Sequence, residues 1–229
     1  MKEKLIITID GPAGAGKSTV SKILADKLNY IYINTGAMYR VVALESKRRN
    51  IDPEDEAGLS LLCSGLDISF GREDDNLKVF SHGVDVTEEI NTPEMSLRAS
   101  QVSSQRVVRS ALAELQRKMG SKGGVILEGR DAGTVIFPQA QVKFYLDATL
   151  EERGRRRYKE LLYREQRVEF ARVIQETEKR DFDDSHRDLA PLRMAEDAVL
   201  IDSSELTVEE VVDMMVAIIK ARYPTPLNN

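Results

Sequence analysis

The 229-residue chain has no Trp, a single Cys, two His, and only 14 Gly and 7 Pro. Each scarcity excludes something. The lone Cys63 cannot close an internal disulfide, so a disulfide-built secreted scaffold is ruled out and a reducing compartment, the cytoplasm, is expected. With so little Gly and Pro and no biased tract, collagen-like and low-complexity chains are excluded. No apolar stretch approaches the roughly 18 residues of a membrane span, and the first one, Leu5 to Ile9, is too short even for a signal core, so no membrane partner is expected. What remains is a soluble globular chain, long enough to bury roughly 70% of its unfolded surface as one domain or one domain with a sizeable insertion.

A net charge of −5 argues against a nucleic-acid polymer as partner, because such binders carry a basic excess. The basic residues are nonetheless uneven. Twenty of the 33 are Arg, and ten of those lie between Arg153 and Arg193. The planar guanidinium fork matches phosphate oxygens in a way that a Lys point charge does not. A solvated surface gives the same count, and composition leaves both readings open.

The hydrophobic pattern is more decisive. Leu5 to Ile9 is a short β-branched run of the kind buried on both faces of a parallel sheet, and similar runs recur at Tyr30 to Ile33, Val125 to Leu127, Val142 to Leu146 and Ala198 to Ile201. Helical faces lie between and after them: Val20, Ile23, Leu24 and Leu28, then Val208, Val211, Val212, Met215 and Ile219. Thr207 with Glu210 and Thr149 with Glu152 have capping-box spacing. Five strands alternating with helices predict an α/β fold with a parallel sheet covered on both faces. One stretch breaks the alternation. Leu66 to Phe70, Leu77 to Phe80 and Val84 to Val86 read as a small antiparallel meander, followed by two helical segments from about Pro93 to Met119. We read it as an insertion packed on the core.

Gly11-Pro12-Ala13-Gly14-Ala15-Gly16-Lys17-Ser18 matches GxxxxGK[ST], directly after a strand and directly before an amphipathic helix. That context is what the chemistry needs. Glycines let backbone N–H groups converge on phosphates, and the helix N-terminus adds positive potential. The segment Gly11 to Thr19 is therefore expected to hold ATP, with Lys17 reaching the β- and γ-phosphates and Ser18 holding Mg²⁺. A guanine-reading Asn-Lys-x-Asp element is absent, and no Asp-x-x-Gly stands in switch position, which disfavours a GTPase.

Asn34-Thr35-Gly36-Ala37-Met38-Tyr39-Arg40 follows the second strand, and Glu128-Gly129-Arg130-Asp131 ends the third, both at strand C-termini where open α/β sheets bind ligands. With ASQV at Ala99 to Val102, GRDAGTVIFP from Gly129, the FYLDA run ending at Ala148, and RDFDDSHRDLAP from Arg180 to Pro191, the chain closely resembles the bacterial cytidylate kinases over nearly its whole length. The resemblance implies a P-loop NTPase fold with a five-stranded parallel sheet, an inserted monophosphate-binding domain and a lid. It implies a core of residues 1–34 and 123–229, a monophosphate-binding region of 35–122 with its β insertion near 64–90, and a lid with flanking helices at 150–187. The implied reaction is transfer of the ATP γ-phosphoryl group to CMP or dCMP, with Mg²⁺ accompanying ATP.

Residue by residue, the resemblance places Thr35 and Arg40 beside the acceptor and Arg109 and Arg130 on its phosphate. Ser100, Arg180, Asp184 and Arg187 read cytosine and sugar, and Asp131 positions the sugar or the Arg network. The residue types suit these jobs: a carboxylate accepts from the cytosine N4 amino group, whereas uracil would confront it with a carbonyl oxygen. Lys17, Arg130, Arg153 and Arg157 are the implied catalytic residues. Arg153, Arg156 and Arg157 share a helical face expected to reach the phosphates when the lid closes. Competing readings stand beside these: a structural ion pair for Arg130 and Asp131, a solvated face for Arg109, and Asp183 in place of Asp184. Many relatives have Asp where this chain has Asn34, which puts a charge-dependent role of that position in question. A monomer is expected. A kinase of another pyrimidine monophosphate or small molecule and a non-catalytic nucleotide-binding regulator remain alternatives.

Overall fold

The computed structural model describes residues 4–73, 76–163 and 168–224. Asp74 and Asp75 of the meander's spacer, four residues of the expected lid and Pro226 lie outside the described residues. The chain divides into two compact units, Met1–Tyr32 with Lys122–Asn229, and Ile33–Ser121.

In the first unit, β1 (Ile6–Asp10) is followed by α1 (Lys17–Leu28), and β2 (Ile31–Asn34) crosses the unit boundary. After the second unit the chain returns with β6 (Val125–Gly129), β7 (Val142–Asp147), α7 (Leu150–Tyr163), α8 (Phe170–His186), β8 (Val199–Asp202) and α9 (Val208–Arg222). The five strands form one parallel sheet in the order β2-β6-β1-β7-β8. β1 is central, which explains its unbroken apolar run: Ile7 and Ile9 are wholly buried, each side chain stabilising the fold by about 2 kcal/mol. The order reverses direction beside β1, so the C-terminal ends of β1 and β6 flank the crevice where such sheets bind ligands.

Thr207 and Glu210 form the full reciprocal capping box on α9. The Thr149 box is only half made. Thr149 Oγ1 accepts from Glu152 N at 3.3 Å, but the Glu152 carboxylate turns to Arg155 and Arg156 instead of the cap N–H. A charged neighbour outcompetes a neutral one.

The second unit comprises α2 (Thr35–Arg48), α3 (Glu56–Ser64), the antiparallel strands β3 (Ile68–Glu73), β4 (Asn76–Ser81) and β5 (Val84–Asp85), the single turn α4 (Thr87–Ile90), α5 (Pro93–Ser103) and α6 (Arg106–Gly120). Its core is built around α2, whose Met38, Val41 and Val42 are fully buried, together with Leu59, Val102, Val108 and Leu112. One polar link is buried with them: Glu45 of α2 accepts from Ser81 Oγ on β4 at 2.8 Å and from Arg48 at 3.0 Å.

Candidate active site

The phosphate loop leaves β1 at Asp10 and enters α1 at Lys17. Its carbonyl side is taken up by donors from within the unit. Lys17 Nζ donates to Pro12 O at 2.5 Å, Arg153 Nη1 to Ala13 O at 3.1 Å, and Ser203 Oγ to Ala15 O at 3.3 Å. Arg156 also reaches Ala15 O, at 3.4 Å, and binds Ser203 through both its oxygen atoms. Gly14 shows why the loop needs glycine: at φ 78° its Cβ would lie 2.8 Å from the Arg153 carbonyl oxygen. The first turn of α7 therefore packs directly on the loop. Arg153 is buried there, bonded also to Ala148 O and to Asp181 of α8, whose other carboxylate oxygen accepts from Ala13 N at 3.0 Å. Arg157 is different, half-buried and paired with Glu160 one turn on.

Lys17 is itself buried, and burial together with the facing Arg130 and Arg180 guanidiniums holds its ammonium well below the ordinary range, against the pull of Glu128 and Asp10. Ser18, exposed at the second position of α1, donates its hydroxyl to Glu128 Oε1 at 2.7 Å. Thr19 is exposed beside it.

A network of charged side chains lies beside this cradle, at the end of β6 and the C-terminal part of α8. Arg130 Nε donates to Asp184 Oδ2 at 2.8 Å. Asp184 Oδ1 lies 3.6 Å from Arg187 Nη1, and Arg187 Nη2 lies 3.9 Å from Asp131 Oδ1. Burial alone would raise the Asp184 carboxyl, but Arg130, Arg180 and Arg187 outweigh it and hold the group below the usual carboxylate range. Burial likewise opposes charge on Arg130, and the Asp184, Glu128 and Asp181 carboxylates more than restore it. The structure separates the two adjacent aspartates: Asp184 is in this network, and Asp183 is exposed.

In the Ile33–Ser121 unit, Asn34 caps α2, its Oδ1 accepting from Ala37 N at 2.8 Å, a job that Asn and Asp do equally well. Thr35 follows, buried, and Arg40 is on the same helix one turn later. Arg109 on α6 is buried rather than solvated: it donates to Ser103 O at 3.3 Å, with its guanidinium 5.6 Å from the centre of the Tyr39 ring. Ser100 is exposed on α5.

A family model described as cytidylate kinase matches residues 7–221. The cytidylate kinase of Geobacter sp. (strain M21) is 54% identical over 218 residues, covering 95% of this chain and 94% of its own, and that of Bacillus subtilis (strain 168) is 45% identical over 222 residues, covering 97% and 99%. The chain belongs to the cytidylate kinase family. At the level of fold alone it is similar to solved shikimate kinases. That of Acinetobacter baumannii gives a TM-score of 0.50 at 14% identity, covering 96% of this chain and 95% of its own, and that of Bacteroides thetaiotaomicron gives 0.51 at 13%, covering 94% and 98%.

Several residues around this kinase's cradle were not read from sequence. Ser203 and Asp10 carry no motif of their own, and Asp181, though inside the RDFDDSHRDLAP segment, was given no role there and meets Ala13 across 168 positions of chain. The available hint was positional: Asp10 and Ser203 both stand at C-terminal ends of core strands, where an α/β sheet places its working residues.

Proposed function

We propose that this kinase moves the γ-phosphoryl group of ATP in line onto the phosphate of CMP or dCMP, giving ADP with CDP or dCDP. The observation that supports it best lies within one unit, where the buried Lys17 of the phosphate loop faces Arg130 and Arg180, and Arg130 is bonded in turn to Asp184. A cation-lined cradle beside an arginine network suits two anions that must be brought together. The attacking phosphate oxygen is already anionic, so no general base is needed, and catalysis reduces to alignment and charge neutralisation.

Backbone N–H groups and side chains of Gly11, Pro12, Ala13, Gly14, Ala15, Gly16, Lys17, Ser18 and Thr19 form the ATP site. Arg130 grips the acceptor phosphate, Asp184 accepts from the cytosine amino group, Arg180 and Arg187 complete the base and sugar contacts, and Asp131 steadies Arg187. Thr35, Arg40, Ser100 and Arg109 of the Ile33–Ser121 unit are assigned to CMP by the resemblance of their segments. Residues 35–122 serve as the monophosphate-binding region and 150–187 as the lid, on which Arg157 would exchange its Glu160 partner for the phosphates; Arg153 acts from the loop that it already holds. Mg²⁺ arrives with ATP. The Ser18 hydroxyl, with the Glu128 carboxylate behind it, would offer that ion hard oxygen of the kind it takes. When bound, the ion neutralises phosphoryl charge.

We place the enzyme in the cytoplasm, on its single Cys, and as a monomer; separately, among the described residues no helix is long and apolar enough to cross a membrane. The deciding experiment is a coupled ADP-release assay with CMP, dCMP, UMP and AMP. CMP and dCMP should support turnover well above UMP and AMP; ADP release that no acceptor stimulates would overturn the reading, and UMP exceeding CMP would overturn its specificity.

A further inference from the structure

One buried titratable side chain has no part in the reaction so far: Asp10, the last residue of β1. Its two oxygens accept from consecutive backbone N–H groups, Ala132 N onto Oδ1 at 2.9 Å and Gly133 N onto Oδ2 at 2.7 Å. Those residues open a short π-helical turn, Ala132–Ile136, and the two residues before them are Arg130 and Asp131. Asp10 itself runs directly into Gly11. One side chain thus joins the root of the phosphate loop to the root of the segment that carries the acceptor-side arginine.

The fit around it is close. Thr8 and Asp10 project to the same face of β1, as alternate strand residues do. Gly133 lies against both: a Cβ there would stand 2.7 Å from Thr8 Oγ1, 3.3 Å from Asp10 Oδ2 and 3.3 Å from Lys143 Cδ. Only a residue without a side chain lets the turn approach far enough for both bonds.

The choice of a carboxylate is costly. Burial pushes the Asp10 carboxyl up to about 6, and Asp131 pushes the same way, against the two N–H groups and Lys17. A folded value raised above the unfolded one means that the group favours the fold at acid pH and that this contribution is lost as pH rises from about 4 through about 6. A neutral amide would avoid that cost, but it has only one oxygen, whereas the carboxylate takes two consecutive N–H groups at once.

We propose that Asp10 is a positioning residue for phosphoryl transfer, its ionised carboxylate clamping Ala132 and Gly133 so that Arg130 and Asp131 stay in fixed register with the phosphate loop. The proposal rests on the assignment of Arg130 and Asp131 to the acceptor made above. The charged or titratable groups facing the carboxylate are Lys17 from the phosphate loop, Asp131 from the clamped segment and, on β7, Tyr145 in register beside it and Lys143 across Gly133. On protonation one oxygen becomes a hydroxyl, a poorer acceptor for the N–H that it faces, and half of the clamp is weakened.

The test is kcat at saturating ATP and CMP for the wild type and Asp10→Asn over about pH 5 to 8. The variant should be slower by about tenfold at about pH 7.5 with KM for ATP within about twofold, and the wild type's acid limb near pH 6 should flatten in it. Comparing the two profiles cancels titration of the acceptor phosphate, which both proteins share. Coincident profiles with equal kcat would overturn the clamp. A measurement on the wild type guards against a variant that does not fold: the amide proton shifts of Ala132 and Gly133 should titrate together with a midpoint near 6, and flat shifts over the same range would overturn it as well. Arg130→Ala separates the layers. If it abolishes turnover while Asp10→Asn behaves as wild type, the clamp alone fails; if Arg130→Ala is fully active, the assignment beneath the clamp fails and takes it along.

Discussion

Asp10 and Asp184 are carboxylates of one unit, the first buried and the second half-buried, and their proton affinities move in opposite directions. Burial prevails at Asp10, whose bonded partners are two neutral backbone N–H groups, and is overridden at Asp184, where three arginines face the group. The same division runs through the whole site. The phosphate loop is shaped by backbone, glycine and hydrogen bonds to carbonyls, with Lys17 as its cation. The network beside it, to which we assign the acceptor, consists of full charges, Arg130, Asp184, Arg187 and Asp131, each holding the next. On the proposed assignment, main chain with one lysine suffices to cradle the phosphates of ATP, whereas holding the acceptor calls for side chains that compensate one another.

That contrast can be broken at its strongest point by Lys17→Ala. If Lys17 is the one cation that the loop's own sequence brings to the phosphates, Arg153 and Arg156 being spent on its carbonyls, its loss should lower kcat by about a thousandfold or more with the melting temperature little changed. Near-normal turnover would show that the N–H groups suffice.

Asp184→Asn probes the other half. Removing the charge leaves Arg130 and Arg187 facing a neutral amide, so CMP-over-UMP selectivity in the coupled assay should fall about tenfold or more. Stability should fall too, by about 1–3 kcal/mol at neutral pH. The sign with pH follows from its lowered value: this stabilisation is present above the unfolded value of 3.8 and is lost as pH falls through the lower folded one, so wild type and variant should converge in acid denaturation. A stability difference that does not change with pH would mean that packing, and not charge, holds the group.

The smallest effect is expected at Asn34, a side chain with a backbone partner in the other unit. Asn34→Ala should cost about 1 kcal/mol by chemical denaturation, and Asn34→Asp should be nearly neutral. A large gain in activity for Asn34→Asp would show that charge matters at a position assigned here to capping.

Much of the core was legible. GxxxxGK[ST] between strand and helix marked the phosphate loop, and the five apolar runs matched the observed strands to within two residues; the inner strands are buried on both faces and so read as continuous apolar sequence, while the edge strands keep Ile31 and Leu200 exposed. The three meander strands were visible through their spacers. Other elements were not. The helix Thr35–Arg48 begins inside a stretch read for its ligand-binding residues, and its Val41-Val42 pair gives no helical propensity of its own. The π-helical turn after Asp131 could not be read at all, because what holds it is a carboxylate 122 and 123 residues away. The choice between Asp183 and Asp184 likewise needed Arg130, 54 residues from Asp184.

The grip on the phosphate loop from Arg153, Arg156 and Ser203 has a thermodynamic consequence. Ordering a loop of this length costs roughly 1–2 kcal/mol for each residue fixed. Here that cost falls on folding, because side chains of the protein itself already restrain the loop's carbonyls. ATP then meets a cradle whose ordering entropy has been spent beforehand, and more of its contact energy remains for affinity and for orienting the phosphoryl group.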